Sequence, residues 1–522
     1  MRSWPIALVV VPSLVTACGS SASVPTPRFV DETSSSGLDH TYDGEFEFFV
    51  GGGVATFDCN DDAFPDVYVA GGSRPAALFI NRSTVGGPLR FARLSSEETD
   101  LDRVTGAYPL DIDNDGFLDL VVLRNKDTRV LTGHGDCTFT DATREFAINL
   151  DDRWTVGFAA TWEEGQSLPT LAFGNYLVPD TYDCDTNTLY RPLGGAYRPS
   201  VEIPGYCTLS MLFSDWNRDG HRDLRVSNDR NYSREAREQL WRIEKGADPR
   251  EFTEADGWKS LTIWGMGIAS ADLTGDGRPE IFLSSQADNK LQELDAGSIG
   301  PSYHDIALER GVTAQRPYVG ESVLPSTAWH PQFEDVNNDG LLDLFISKGN
   351  VDAQIDYASF DPNNLLLGQS DGKFVESGHE AGIDSDTRSR GAALVDLNLD
   401  GLLDLVVVNR RVPVSVMRNT MNEDDARWIQ IRVSQPDINT QAVGAWVDVR
   451  VGDSVTTREI TVGGGHASGG SGWMHFGLGK ATTADVRVTY PDGTISDWAT
   501  VDADGFYAIT KDESAPTPVS VG

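Results

Sequence analysis

Six segments of this 522-residue chain repeat oxygen-bearing side chains at one spacing. Counted from the first Asp of each loop, positions 1, 3, 5 and 9 are Asp58, Asn60, Asp62 and Asp66; Asp111, Asp113, Asp115 and Asp119; Asp215, Asn217, Asp219 and Asp223; Asp272, Thr274, Asp276 and Glu280; Asp335, Asn337, Asp339 and Asp343; Asp396, Asn398, Asp400 and Asp404. Position 6 is Gly in all but the first, which has Ala63. Four side-chain oxygens, a main-chain carbonyl at position 7 and a sharp turn at position 6 suit a hard cation that takes six to eight oxygens at about 2.3–2.6 Å. Ca2+ is therefore the expected cofactor, at about six sites. An EF-hand shares positions 1, 3 and 5 but closes on a Glu at position 12 between two helices. These loops close at position 9 and run into segments such as Asp404-Leu405-Val406-Val407-Val408, which prefer strands.

The copies are unequal. The all-acidic set at Asp111 is expected to bind most tightly, and Ala63 must adopt a left-handed conformation at roughly 1–2 kcal/mol. A further, degenerate copy offers Thr161, Glu163, Gly165 and Pro169 and is expected to be metal-free. On this reading Asp115→Ala costs more stability than Glu163→Ala.

Other reactive side chains form no recognisable catalytic set. Gly368-Gln369-Ser370-Asp371-Gly372 has the spacing of a nucleophile elbow, which needs a buried strand before it and a helix after it; here it separates LLL from KFVE, as a hairpin turn would. His379-Glu380 lacks a second His at the fifth position, so zinc-protease chemistry is excluded. His466 and His475 fall in a Gly-rich turn and strand. The segment 180–207 departs from the repeat. Its Tyr182, Tyr190, Arg191, Tyr197, Arg198 and Tyr206 are types enriched at binding hot spots, which makes it a candidate ligand loop; the alternative is a stapled loop packed on the rim. Cys184 and Cys207 flank it and are the preferred disulfide among the three connectivities four cysteines allow. The pairing of Cys59 and Cys137 stays open, and no spacing among the four suggests a zinc knuckle or a redox Cys-x-x-Cys.

The elements that must position these loops are short strands. The loops recur about every 56 residues, the length of a four-stranded unit with its turns. After most loops comes an F/Y-x-x-x strand signal, as in FTDA (139–142) and FVES (374–377), but none follows the last loop. FVDETSSSGL (29–38) matches FVESGHEAGI (374–383), so the N-terminal strand is expected to complete the last unit and remove an open sheet edge. Residues 4–17 form an apolar run of signal-peptide length. It ends Leu14-Val15-Thr16-Ala17-Cys18-Gly19, which resembles a bacterial lipobox with Cys18 as the lipidated residue, and a Ser/Pro-rich tether follows. The reading is of an exported protein, lipid-anchored at the bacterial envelope or outer surface, with no other membrane contact. Asp and Glu number 79 against 42 Lys and Arg, a net charge of −37, which excludes nucleic acid as a partner.

The acidic loops resemble the FG-GAP (integrin α-type) repeats of β-propellers. QAVGAWVDVRVG (441–452), REITVGGGHASGGSGWMHFGLG (458–479) and VRVTYPDGTISDW (486–498) resemble the ASPIC/UnbV domain that follows such repeats in the cartilage acidic protein family; Tyr490 stands where that domain often has Trp. The resemblance implies an all-β chain: a seven-bladed β-propeller with FG-GAP calcium loops plus a small C-terminal β-domain. The expected divisions are a lipoprotein-type signal peptide at 1–18, a tether at 19–26, the propeller at 27–420, the ASPIC/UnbV domain at 421–512 and a flexible tail at 513–522. The expected function is non-catalytic binding of an extracellular protein or glycan. The alternative is a calcium-dependent lyase or hydrolase acting on polysaccharide.

Overall fold

The apolar runs on either side of each acidic loop pair as antiparallel strands, and further strands extend each pair outward. The computed structural model describes residues 25–197, 200–351, 354–421, 426–513 and 515–521. Cys18, the leader, most of the tether and Arg198 lie outside the described residues. The innermost strands are Val54–Phe57, Val104–Leu110, Thr155–Thr161, Thr208–Ser214, Gly265–Ala271, Ala328–Glu334 and Ser389–Val395. Each belongs to a sheet with three outer strands and packs against the innermost strands on both sides, the seventh against the first. This is a seven-bladed propeller. Burial follows the radial order: VTGAYPL (104–110) is buried throughout, whereas the outer strand FTD (139–141) buries only Phe139.

Blade seven closes as the N-terminal signal implies. Phe29–Asp31 pairs antiparallel with Ser415–Asn419, Phe29 opposite Asn419 and Asp31 opposite Met417. Both cysteine pairs are bonded: Cys184 to Cys207 within blade three's excursion, and Cys59 to Cys137, which ties the first acidic loop to blade two. Among the described residues, no helix is long and apolar enough to cross a membrane.

The C-terminal domain has two four-stranded sheets, one built on Arg427–Ser434 and Gly505–Thr510, the other on Trp446–Val451 and Thr483–Thr489. The last of these, TADVRVT, buries alternate residues, the pattern of a strand with one face on a core. The expected flexible tail is not what forms at its end: Thr517–Val519 adds an edge strand to Gly505–Thr510, Ala508 opposite Thr517.

The Gly-rich segment 462–471 of this domain runs into the propeller's axial channel. Ala160 N–H donates to Val462 O at 3.0 Å, Gly464 N–H to Met211 O at 2.6 Å and Gly465 N–H to Ile268 O at 2.7 Å. His466 N–H donates to His330 Nδ1 at 3.0 Å, Val54 N–H to Ser468 Oγ at 3.1 Å, and Gly469–Gly470 pairs in parallel with Ala55 and Thr56. Ala107 pairs with Ser468, and a Cβ on Gly391 would lie 2.3 Å from Ser468 Oγ, so the segment meets all seven innermost strands. Glycine is needed on both sides because main chain abuts main chain.

His466 is fully buried at the centre, its Nδ1 3.0 Å from Met266 O and its Nε2 accepting from Gly51 N–H at 3.1 Å. Burial pushes its imidazole down to about 3, and that of His330 to about 4. Both are neutral in the folded protein. Their folded values lie below the ordinary 6.5, so the stability these two groups contribute is full above about pH 6.5 and declines as pH falls towards 4, where the unfolded chain binds protons that the folded chain refuses. Each pKa unit corresponds to about 1.4 kcal/mol. His466→Gln keeps a donor and an acceptor without a charge to take up, and should make urea midpoints fall less steeply between pH 6.5 and 4 than in the parent. Equal slopes would remove His466 from the acid response.

Candidate functional site

The six acidic loops share one hydrogen-bond plan. In each, the position 6 N–H donates to a carboxylate oxygen of position 1 at 2.7–3.0 Å, and the position 7 N–H to the position 5 carboxylate at 2.8–3.0 Å. Position 6 is left-handed throughout, Ala63 included at φ 73°. Ala63→Gly should therefore raise stability by about 1 kcal/mol, read from urea unfolding; no gain would mean that the loop relaxes around the Cβ. Position 4 is left-handed as well, at Asp61, Asn114, Arg218, Gly275, Asn338 and Leu399. The varied side chains there hide the requirement in the sequence.

Position 9 does more than close the loop. One oxygen of Asp119 accepts from Ile112 N–H at 2.7 Å and the other from Gly133 N–H at 2.9 Å, which fastens the loop to the third strand of its blade. Asp66, Asp343 and Asp404 do the same to Cys59 and Asn81, Val336 and Gly368, and Leu397 and Asn419. Asp223 instead accepts from Trp216 Nε1–H at 2.8 Å, and Glu280 from Leu273 N–H at 2.7 Å.

The donor sets fit a cation. Asp111, Asp113 and Asp115 bring one carboxylate oxygen each within 4.8 Å of one another. Asp111 Oδ1 and Asn398 Oδ1 are buried without a hydrogen-bond partner, an arrangement that costs free energy unless something else satisfies them. Burial first, then neighbouring carboxylates, raises the acids: Asp119 to about 8, Asp66, Glu280 and Asp396 to about 7, and Asp335, Asp343 and Asp404 well above their ordinary values.

In the degenerate third copy the counter-charge is a side chain. Arg191 donates from Nε and Nη2 to the two oxygens of Glu163, at 2.7 and 2.5 Å, and from Nη2 to Glu244 O. Arg191 is thus turned to Glu163 and not held out for a ligand, which corrects that member of the expected ligand loop. Tyr190 and Tyr197 are buried, bonded to the carbonyls of Asn149 and Pro169; Tyr206 accepts from Arg237; Tyr182 stays exposed. In metal-free protein the Arg191–Glu163 pair is expected to put Glu163→Ala above Asp115→Ala in cost, the opposite of the order expected from the loops alone. Arg191→Ala or Glu163→Ala strands a buried partner and should cost about 3–5 kcal/mol in urea unfolding, more than Asp115→Ala in metal-free protein, while the double variant recovers much of the loss. Additive single losses would show that the pair is not coupled. Ser370 lies in the turn between Asn364–Gly368 and Phe374–Glu376, which is no nucleophile elbow.

All six loops project from one face, and the C-terminal domain covers it. Thr440 Oγ1–H donates to Asp111 Oδ2 at 2.5 Å and Gln430 Nε2–H to Asp396 Oδ2 at 2.6 Å. Glu459 accepts from Asp215 N–H at 3.0 Å, Arg218 stacks on Trp446, and His475 Nε2 lies 2.6 Å from Asn338 Oδ1. Arg458 grips Glu334 with two 2.7 Å bonds. A Cβ on Gly477 would lie 2.0 Å from Asp335 Oδ2. A cavity of about 770 Å³ remains under this cap, lined in part by Phe117, Arg432 and Trp473.

Comparison with known proteins matches residues 58–122 and 335–407 to the FG-GAP-like repeat and residues 435–516 to the family described as ASPIC and UnbV. The chain carries FG-GAP-like repeats and an ASPIC/UnbV domain. Cartilage acidic protein 1 of Homo sapiens is 26% identical over 244 residues, 44% of this chain and 33% of that protein; its Mus musculus counterpart is 28% identical over 162 residues, 28% and 22%. The matches thus span about a third or less of these relatives. A solved structure of BBS1N in complex with ARL6DN covers 77% of this chain and 98% of that one at 10% identity, TM-score 0.44.

Proposed function

We propose that this chain is a calcium-binding, non-catalytic propeller module that engages an extracellular protein or glycan, tethered to the cell envelope by a lipid on Cys18. The observation that carries the reading is that the cap sits on the face that bears the acidic loops. The acidic loops lie beneath the ASPIC/UnbV domain, whose Gly-rich segment fills the channel, so the metals serve architecture and the opposite face is left for a ligand. Calcium at each loop would neutralise crowded carboxylates and take up the unpartnered oxygens of Asp111 and Asn398.

A glycan array and an array of extracellular proteins, probed with the calcium-loaded full chain, test this. Saturable binding that is lost on chelation is expected. Turnover of a polysaccharide without retained binding would replace this reading with the enzymatic one. Intact mass of detergent-extracted protein should show an acylated Cys18; a Ser or Gly N-terminus without acyl mass removes the anchor.

A further inference from the structure

The channel has a second mouth, opposite the acidic loops. Those loops follow the ends of the innermost strands, so residues that begin those strands, or that follow the second strands, lie at the other end. There a cavity of about 40 Å³ is lined by Phe46, Tyr176, Asp229, Tyr232, Met266 and Trp329, among others. Tyr176 follows Thr170–Asn175, Asp229 follows Asp223–Asn228, and Met266 and Trp329 are second residues of the innermost strands of blades five and six.

Among the described residues Asp229 is the one carboxylate lining this cavity, and it is 2% exposed. One oxygen accepts from the Tyr176 hydroxyl at 2.7 Å, the other from Asn231 N–H at 2.9 Å. Among the described residues no cationic side chain pairs with it, and burial raises its carboxyl. Arg390 and Arg410, which lie over Trp329 and Phe49, donate to the carbonyls of Phe49 and Gly44. Around the acid stand rings in edge-to-face contact: Tyr176 with Tyr232 at 5.8 Å, Phe46 with Tyr232 at 6.4 Å and Phe46 with Tyr182 at 5.3 Å. Ring faces and a buried anion both attract a cation, and more strongly once it is desolvated.

The size and donor set select which cation. The space equals roughly three water-sized spheres, enough for the head of an alkylammonium. A hard divalent ion wants six or more oxygens, and the Gln286 and Gln354 amides here bond to each other. A guanidinium brings five N–H donors that need acceptors once buried, and apart from Asp229, whose oxygens each already accept one bond, the walls here are mainly rings and other apolar side chains. We propose that this axial pocket binds a single alkylammonium head group, with Asp229 opposing its charge and Phe46, Tyr176 and Tyr232 walling it. The inference rests on the reading of this face as the binding face and gives its ligand a chemistry: a lysine-type primary ammonium or a choline-type quaternary one.

The test is calorimetric titration of the calcium-loaded full chain at fixed ionic strength with n-butylammonium, tetramethylammonium, guanidinium and sodium chlorides. Saturable binding of one of the two ammonium ions is expected, which identifies the source, with guanidinium at least tenfold weaker. Asp229→Asn should weaken it at least tenfold. Tyr232→Leu, at a residue 44% exposed on the rim, should weaken it severalfold and decides the matter where Asp229→Asn fails to fold. No saturable binding of either ammonium, tighter binding of guanidinium, or affinities unchanged in Tyr232→Leu would overturn the proposal. A protein or glycan ligand bound by a chain that ignores both ammonium ions keeps the function above and discards this pocket.

Discussion

Gly53→Ala is expected to destabilise the protein by about 2–4 kcal/mol and to drive the Gly-rich segment from the channel. An added Cβ at Gly53 would lie 1.7 Å from Ala467 O and 2.5 Å from Ala467 C. Both are main-chain atoms, so no rotamer change relieves the overlap, and overpacking of a close-packed interior costs about 1–3 kcal/mol before any hydrogen bond is lost. Displacing the segment also unpairs Val54 N–H, Gly464 N–H and Gly465 N–H, buried donors worth about 1 kcal/mol or more each. Gly157→Ala is the control: it lies on the innermost strand of blade three, and its added Cβ meets nothing closer than 3.4 Å. Urea unfolding should separate the two variants by at least 2 kcal/mol, and limited proteolysis should cut between 460 and 472 only in Gly53→Ala. Equal stabilities and equal protection would mean that the segment does not occupy the channel in solution.

The sequence revealed what depends on local chemistry and concealed what depends on who meets whom. The acidic loops, the four-strand period and the closing strand at Phe29 were legible because each is written in contiguous residues whose type the backbone demands: oxygens at positions 1, 3, 5 and 9, Gly at position 6, and the F/Y-x-x-x signal of the outer strands. The Gly-rich run 463–470 was visible but mute, since glycine marks a close approach without naming the partner, and that partner is the walls of all seven blades. Arg191 was misread for the same reason. Its type fits a binding loop, but Glu163, 28 residues earlier, holds it inward. Asp229 resembled every other acid in a strongly acidic chain. What distinguishes it is the set of rings that the fold gathers from the segment 46–49 and from blades three to six, which no spacing along the chain encodes.

Chelating calcium is expected to lower the melting temperature by many degrees and to loosen the ASPIC/UnbV domain before the blades. In a metal-free loop, three or four acidic side chains crowd within several ångströms, and each like-charge pair costs on the order of 1 kcal/mol even at water-like dielectric. Extracellular calcium sites often bind at about 0.1–1 mM. At about 1 mM calcium each loop then adds roughly 0.4–1.4 kcal/mol, and the six together roughly 2–8 kcal/mol, comparable with the whole stability of an ordinary domain. The contacts between loops and cap set where such a free energy would be felt. Asp111 and Asp396 each offer one carboxylate to their own loop and to the cap, through Thr440 and Gln430, and Asp335 lies against Gly477. An anion left without its metal turns from the cap to water, so the cap loses partners on several blades at once. In excess chelator, cleavage of segment 460–472 should therefore precede loss of sheet structure, and Asp111→Asn should move the two events together in the calcium-loaded protein. Magnesium should restore little, because it demands near-octahedral geometry at about 2.0–2.1 Å. A melting curve that is unchanged in chelator, once metal analysis confirms that the protein is calcium-free, would strip these loops of the structural role assigned to them and leave their shared carboxylates to the cap alone.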